Sequence, residues 1–171
     1  MRALYLLRHA EAEAGARSGG DHARPLSARG EAAALQIGQY LRREAIQPEL
    51  ALCSSAERAR ATLTLVTSQL DTPPRVVIEA SLYGIDAGGL LELLRGTDPS
   101  VTVLLVVGHN PTLHQLAYAL AGEADGDALR RLAPNLPPAG LACLMFDQPS
   151  WAQLQPGGGR LRRFVSPDTL A

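Results

Sequence analysis

Three short apolar runs in this chain all lead to a basic or imidazole side chain. Ala3-Leu4-Tyr5-Leu6-Leu7 runs straight into Arg8-His9. Leu50-Ala51-Leu52-Cys53 leads through Ser54 and Ser55 to Arg58, and Val103-Leu104-Leu105-Val106-Val107 leads through Gly108 to His109. Runs so short and so continuously apolar read as strands buried on both faces, the pattern of a parallel sheet. Ligands bind such sheets outside the carboxyl ends of the strands. If the three strands are neighbours, Arg8, His9, Arg58 and His109 gather at one edge, and the feature that sets the fold also sets the site.

Helical patterns fill the intervals. Ser27 precedes Arg29-Gly30-Glu31 and can cap a helix from about Ala28 to Glu44, whose inner face is Ala34, Leu35, Ile37, Gly38 and Leu41. Ser54 and Ser55 are placed to cap the next helix, with Leu63, Val66, Thr67 and Leu70 as its stripe and Pro73-Pro74 as its stop. Arg58 falls in its first turn, a poor place for a cation in an isolated helix but a good one if an anion sits above it. Arg75-Val76-Val77-Ile78 reads as a third strand and Leu90 to Leu94 as a helix between glycines. The central strand is expected over Val101 to Val107, followed by a helix from Thr112 to about Ala121 with Pro111 at its first turn. Leu129 to Pro138 is weakly patterned and has room for one short helix. Gly140 to Phe146 and Arg160 to Val165 read as closing strands joined across Gly157-Gly158-Gly159, and Ala12 to Arg24 as a loop on the rim of the site.

This alternation predicts an α/β fold, a three-layer α/β/α sandwich with a mostly parallel central sheet. It should be compact and without a large lid, since Gly84 to Ser100 offers room for one short helix only. The 171 residues, 46% of them hydrophobic, are expected to form one domain, residues 1–171. A net charge of -1 with scattered basic residues argues against nucleic acid or an anionic membrane as partner. All 16 basic residues are arginine, which fits a GC-rich genome as readily as guanidinium chemistry. Cys53 and Cys143 lie at or inside apolar runs without metal-ligand spacing, which reads as buried reduced thiols in a soluble cytoplasmic protein.

Arginine forks match phosphoryl oxygens bidentately, and a neutral histidine attacks phosphorus once an acceptor holds its other ring nitrogen protonated. Arg8, Arg58 and a protonated His109 can cradle a phosphoryl group that His9 accepts, and His22 and His114 read as structural. Rival chemistries lack their motifs. The interval from Cys53 to Arg58 is one residue short of a cysteine-dependent phosphatase loop and that to Arg60 one too long. There is no Gly-x-x-x-x-Gly-Lys loop, His-Glu-x-x-His metal site or Gly-x-Ser-x-Gly elbow.

Four phrases occur in order: Leu7-Arg8-His9-Ala10-Glu11-Ala12, Arg24-Pro25-Leu26-Ser27-Ala28-Arg29-Gly30, Ser54-Ser55-Ala56-Glu57-Arg58-Ala59-Arg60-Ala61-Thr62 and Val107-Gly108-His109-Asn110-Pro111. Together they resemble the signatures of the histidine phosphatase superfamily. With the closing Leu161-Arg162-Arg163-Phe164-Val165-Ser166-Pro167, they resemble most its small SixA-like branch of phosphohistidine phosphatases. The resemblance implies a phosphoglycerate mutase-like fold, His9 as phosphoryl acceptor, and Arg8, Arg58 and His109 as the rest of the catalytic pocket. Asn110 and Arg24, which lie in the matched phrases, join the substrate-binding set; no metal and no cofactor are implied.

Ala10 stands where most of the superfamily has glycine, so the turn there must be one an L-residue adopts. Mutase-like relatives carry a glutamate acid near Ser81-Leu82-Tyr83-Gly84, a slot that Ser81 holds here, with Glu79, Asp86 and Glu11 as weaker candidates. The expected activity is a metal-independent phosphatase with a phosphohistidine intermediate, acting on phosphohistidine in a protein. The alternatives are a phosphatase for a small phosphate ester or anhydride and a non-catalytic phosphate-binding module.

Overall fold

The structure, a computed structural model, describes residues 1–15 and 18–170. Its strands are β1 (Arg2–Arg8), β2 (Leu50–Cys53), β3 (Arg75–Ile78), β4 (Val103–Gly108), β5 (Ala121–Ala124), β6 (Leu141–Phe146) and β7 (Gly159–Val165). The helices are α1 (Ala28–Arg43), α2 (Glu57–Thr67), α3 (Ala87–Arg95), α4 (Thr112–Leu120), α5 (Ala128–Leu132) and α6 (Pro167–Leu170). The strands form one sheet in the order β3-β2-β4-β1-β6-β7-β5. β4 lies between β1 and β2 and is parallel to both, with Arg8 beside Gly108 and Cys53 beside Val107. β6 runs antiparallel to β1 and to β7, and β5 runs parallel to β7.

The continuous apolar runs have a direct cause: both faces of the sheet are covered. Leu4, Leu6, Leu104, Val106 and Leu144 pack with Leu90 and Leu94 of α3, Leu113 and Leu116 of α4, and Leu132 of α5. Their alternates Tyr5, Leu7, Leu105, Val107 and Cys143 pack with Ala34, Ile37 and Leu41 of α1 and Ala59, Leu63 and Val66 of α2. Successive side chains on a strand point to opposite faces, so each strand serves both layers and needs a hydrophobe at every position. Among the described residues, no helix is long and apolar enough to cross a membrane.

Several boundaries depart from the sequence expectation for polar reasons. The central strand begins at Val103, because the Val101 carbonyl is taken by Trp151 Nε1 at 2.7 Å and Arg2 Nη1 at 2.7 Å, and the Thr102 amide by the Glu49 carboxylate. α2 stops at Thr67, well before Pro73, where the Thr67 and Ser68 hydroxyls turn back onto the Leu63 and Leu65 carbonyls. Ser55 does not cap α2; its N-cap is Ala56, with no side-chain cap, and Ser54 Oγ instead accepts from the Ala56 amide at 3.2 Å. β6 and β7 are joined by a longer connection with a 3-10 turn at Trp151–Gln153 rather than by the glycine turn alone. Strand β5 and helix α6 were not expected, since Ala121-Gly122-Glu123-Ala124 has no apolar alternation and Pro167–Leu170 is a single turn.

The Ser27 cap is present, its Oγ accepting from the Gly30 amide at 3.0 Å. Gly30 itself is packed against the loop that leaves the site: a Cβ there would lie 2.0 Å from the Glu11 carbonyl oxygen. Alanine would gain up to about 1 kcal/mol of helix propensity, but a contact that close forces helix and loop apart at roughly 1–3 kcal/mol. Gly30→Ala is therefore expected to be net destabilising in chemical unfolding; an increase in stability would contradict the packing described.

Candidate active site

At the carboxyl ends of β1, β4 and β2 the backbone of Arg8 and His9 is held from two sides. The Arg8 amide donates to Gly140 O and the His9 amide to Gly108 O, both at 3.0 Å, while the Ala139 amide donates to both Arg8 O and His9 O at 3.1 Å. His9 is 8% exposed and Arg58, from the first turn of α2, is 6% exposed. Ala10 is fully buried and is not among the residues at positive φ, as an alanine there requires.

The His9 ring is oriented by its own chain. Nδ1–H donates to Ala10 O at 2.8 Å, which leaves Nε2 with the lone pair, and Arg58 Nε–H donates to that nitrogen over 3.4 Å. The His109 ring centroid lies 5.2 Å from that of His9, and His109 Nε2 shares a 2.7 Å hydrogen bond with Ser54 Oγ. Arg8 is half-buried; its Nη1 donates to Leu136 O at 3.2 Å, while its buried Nε has no partner among the described residues. A buried guanidinium N–H without an acceptor is costly, and an anion in the site would supply one.

Burial, the largest cause, pushes His9 down to about 4, aided by His109, Arg58 and Arg8 and opposed by the hydrogen bond to Ala10. Burial also brings His109 to about 4, with Arg58 the next cause. The protonated His109 expected from the sequence is therefore disfavoured by its surroundings, because its proton would have to be buried among guanidinium groups. Burial and Arg58 likewise lower the pKa of Arg8.

The other expected residues are more distant participants. Asn110 Nδ2 donates to Leu136 O at 2.7 Å, so Asn110 and Arg8 share that carbonyl. Arg24 meets Asp21 at 3.1 Å rather than one of the four central residues, and Arg60 is exposed. Each carboxylate considered as an acid has another occupation: Glu79 accepts from Ser81 at 2.9 Å, Asp86 caps α3 through the Gly89 amide at 2.7 Å, and Glu11 accepts from Ser27 at 3.0 Å. Among the described residues, no group of histidine, cysteine and carboxylate side chains is gathered closely enough to hold a metal ion.

Besides Ser54, four contributors were not read from the sequence as part of the site. Thr62 accepts from the Ala10 amide at 2.9 Å and donates to the Arg58 carbonyl at 2.7 Å, tying α2 to the turn after β1. Asp21 receives Arg58 through its own carbonyl at 2.8 Å and its carboxylate at 3.1 Å, and the Tyr83 hydroxyl donates to the same carboxylate at 2.5 Å. That Tyr83 hydrogen bond is the first cause of the lowered Asp21 pKa. Tyr83 stands edge-on to His109 and to His22, and His22 Nε2 meets Ser55 Oγ at 2.9 Å, so His22 belongs to the site's wall. The only signal for Thr62 was its position four residues after Arg58; Asp21 lies in the loop expected on the rim and Tyr83 in the segment of the acid slot, but neither was singled out.

Comparison with known proteins supports the family read from the motifs. The model of the histidine phosphatase superfamily (branch 1) matches residues 4–94. An uncharacterised protein of Mycobacterium tuberculosis is 38% identical over 149 residues, covering 86% of this chain and 91% of its own length. Among solved structures, a protein from Nakamurella multipartitia assigned as the phosphohistidine phosphatase SixA superposes with a TM-score of 0.84 at 29% identity, covering 97% of this chain and 96% of its own. Another so assigned, from Agrobacterium tumefaciens, gives 0.81 at 29% identity with 97% and 98% covered. The chain belongs to the histidine phosphatase superfamily, branch 1, within its SixA-like group of phosphatases with the phosphoglycerate mutase-like fold.

Proposed function

We propose that this phosphatase works without a metal through a phosphohistidine intermediate on His9, and that its substrate is phosphohistidine on a protein. The observation that carries the reading is the His9 ring: its Nδ1 proton is committed to Ala10 O, and its unprotonated Nε2 accepts a long, 3.4 Å hydrogen bond from Arg58 Nε. The lone pair of Nε2 attacks phosphorus as the bond to the leaving group breaks, and water then cleaves the His9–phosphorus bond. Charge spread over the phosphoryl oxygens in a loose transition state is met by the Arg8 and Arg58 guanidinium groups. His109, kept neutral by burial and by Arg58, gains a proton readily once a phosphate dianion stands beside it.

The substrate class follows from the leaving group. An alkyl phosphate requires an acid to protonate a departing alkoxide, and Glu11, Glu79 and Asp86 are each held elsewhere. A phosphoramidate of imidazole carries that proton on its own ring and needs less help. The short segment between β3 and β4, which holds a 3-10 turn at Ala80–Tyr83 and α3, suits a phosphorylated side chain on a protein surface. A small metabolite that had to be enclosed would suit it less.

His9→Ala is expected to abolish turnover and keep the fold, and label trapped on the wild-type protein should be acid-labile and base-stable. Undiminished hydrolysis by the variant removes the mechanism, and activity lost to a chelator and restored by metal removes the metal-free step. In kcat/KM, phosphohistidine on a protein is expected to exceed unactivated alkyl phosphates, with activated aryl phosphates cleaved slowly. A small alkyl phosphate ranking first would transfer the assignment to the small-ester reading.

The lowered histidines also set a pH dependence of stability. Their unfolded pKa is about 6.5 and their folded value about 4, so between these limits the unfolded chain binds protons that the folded one does not. Stability is thus fully present above about pH 6.5 and is lost as pH falls toward 4. Melting of wild type against His109→Gln should show a flatter acid profile in the variant; parallel profiles would mean that the ring is not buried neutral.

A further inference from the structure

The two arginines of the closing phrase, Arg162 and Arg163, take no part in the candidate active site. Strand alternation would send them to opposite faces of β7, but the register shifts between them: Arg163 is paired with Cys143 and Leu161 with Leu144, leaving Arg162 as an extra residue. A bulge of this kind re-aims side chains, and both arginines border one groove of about 640 Å³ on the α1 side of the sheet. The groove lies at the end of the sheet away from the site. Ala3 and Val103, at the starts of β1 and β4, belong to its floor, whereas His9 and His109 follow the ends of those strands. Tyr5 and Met145 extend the floor, and Tyr40 and Glu44 at the end of α1 form a wall.

The donors on this rim are only partly used. Arg163 Nη1 donates to the Tyr40 hydroxyl at 2.9 Å and to Glu44 at 2.7 Å, and Arg162 Nε meets Asp125 at 2.6 Å, a carboxylate that Arg160 also engages. Among the described residues, Nη2 of each arginine makes no hydrogen bond, and neither does the hydroxyl of Tyr5. We infer that the groove binds a small organic anion with an aromatic body. Arginine forks grip carboxylate or phosphate oxygens and stack on aromatic faces, so two of them on one rim suit an acid group with a ring beside it. Ala3, Val103 and Met145 offer the ring an apolar floor, with the Met145 thioether a favourable neighbour, and the Tyr5 hydroxyl supplies a directed hydrogen bond. The volume is that of a small-molecule pocket, and a rigid ring system fills it with less loss of freedom than an acyl chain. Glu44 and Asp125 offset the two cations, so a bare inorganic anion, which leaves the floor uncovered, is the poorer fit.

Fluorescence titration of the full chain with anilinonaphthalene sulfonate, an aromatic acid whose emission rises in apolar surroundings, tests the site. Saturable binding of one probe per chain is expected, undiminished by inorganic phosphate at concentrations that fill the phosphoryl pocket. Phenylnaphthylamine, the same ring system without the acid, is expected to bind about tenfold more weakly, because the charge-assisted hydrogen bonds are lost. Arg162→Glu, which reverses a charge on the rim, and Met145→Trp, which fills the floor, are each expected to weaken the sulfonate by about tenfold or more, with thermal melting showing that both variants fold. Arg162 is 50% exposed, so its variant keeps the test decisive if the tryptophan disturbs the sheet. Absence of saturable binding, displacement of the probe by phosphate, equal affinity for the uncharged analogue, or a folded Arg162→Glu variant that binds as the wild type does would each overturn the inference.

Discussion

The site depends on the register in which β1 lies against β4. Arg8 beside Gly108 puts His9 and His109 on adjacent strand ends with ring centroids 5.2 Å apart. A slip of one residue would exchange the faces of β1, moving Leu4 and Leu6 into the layer of α1 and α2 and breaking both cores together. The geometry of the candidate site is therefore protected by the burial of residues well away from it. Turn 137–140 adds a second lock, since the Ala139 amide spans the carbonyls of Arg8 and His9.

Around that frame the structure concentrates positive charge without an equal supply of buried carboxylate. Arg58 is almost wholly buried, yet its carboxylate partner Asp21 is 55% exposed and reaches it from a loop. Interactions with so exposed a group are screened by water and contribute little to stability. Among the described residues, the buried Nε–H of Arg8 has no partner. These are local departures from the rule that buried polar groups are satisfied, and such departures gather where a ligand completes the set.

How much of this was legible in the sequence divides along the chain's own physics. Buried parallel strands must be apolar throughout, so β1, β2 and β4 announced themselves, and the residues just past their ends had to lie at one edge. The helices with caps and stripes, α1 above all, were equally plain. Ser54 was misread because a serine before a helix suggests a cap, whereas here its hydroxyl serves the Ala56 amide and His109 together. Asp21 and Tyr83 reach Arg58 and His109 from loops distant in sequence, and such contacts leave no periodic trace. β5 formed without a strand-like pattern because Ala121-Gly122-Glu123-Ala124 is paired along one side to β7, across a register shift.

The edge also bears on which of two candidate nucleophiles could react there. Cys53 ends β2 and His9 follows β1, with β4 between them, and both side chains are withdrawn from water. Burial penalises the charged form of each: it pushes the Cys53 thiol up to about 12 and the His9 imidazole down to about 4. A thiol attacks only as the thiolate, so burial silences it. An imidazole attacks as the neutral ring, so the same burial keeps it ready across the physiological range. Desolvation therefore favours a neutral imidazole over a thiolate as the reactive form at this sheet edge, which is the form that the mechanism proposed for His9 requires.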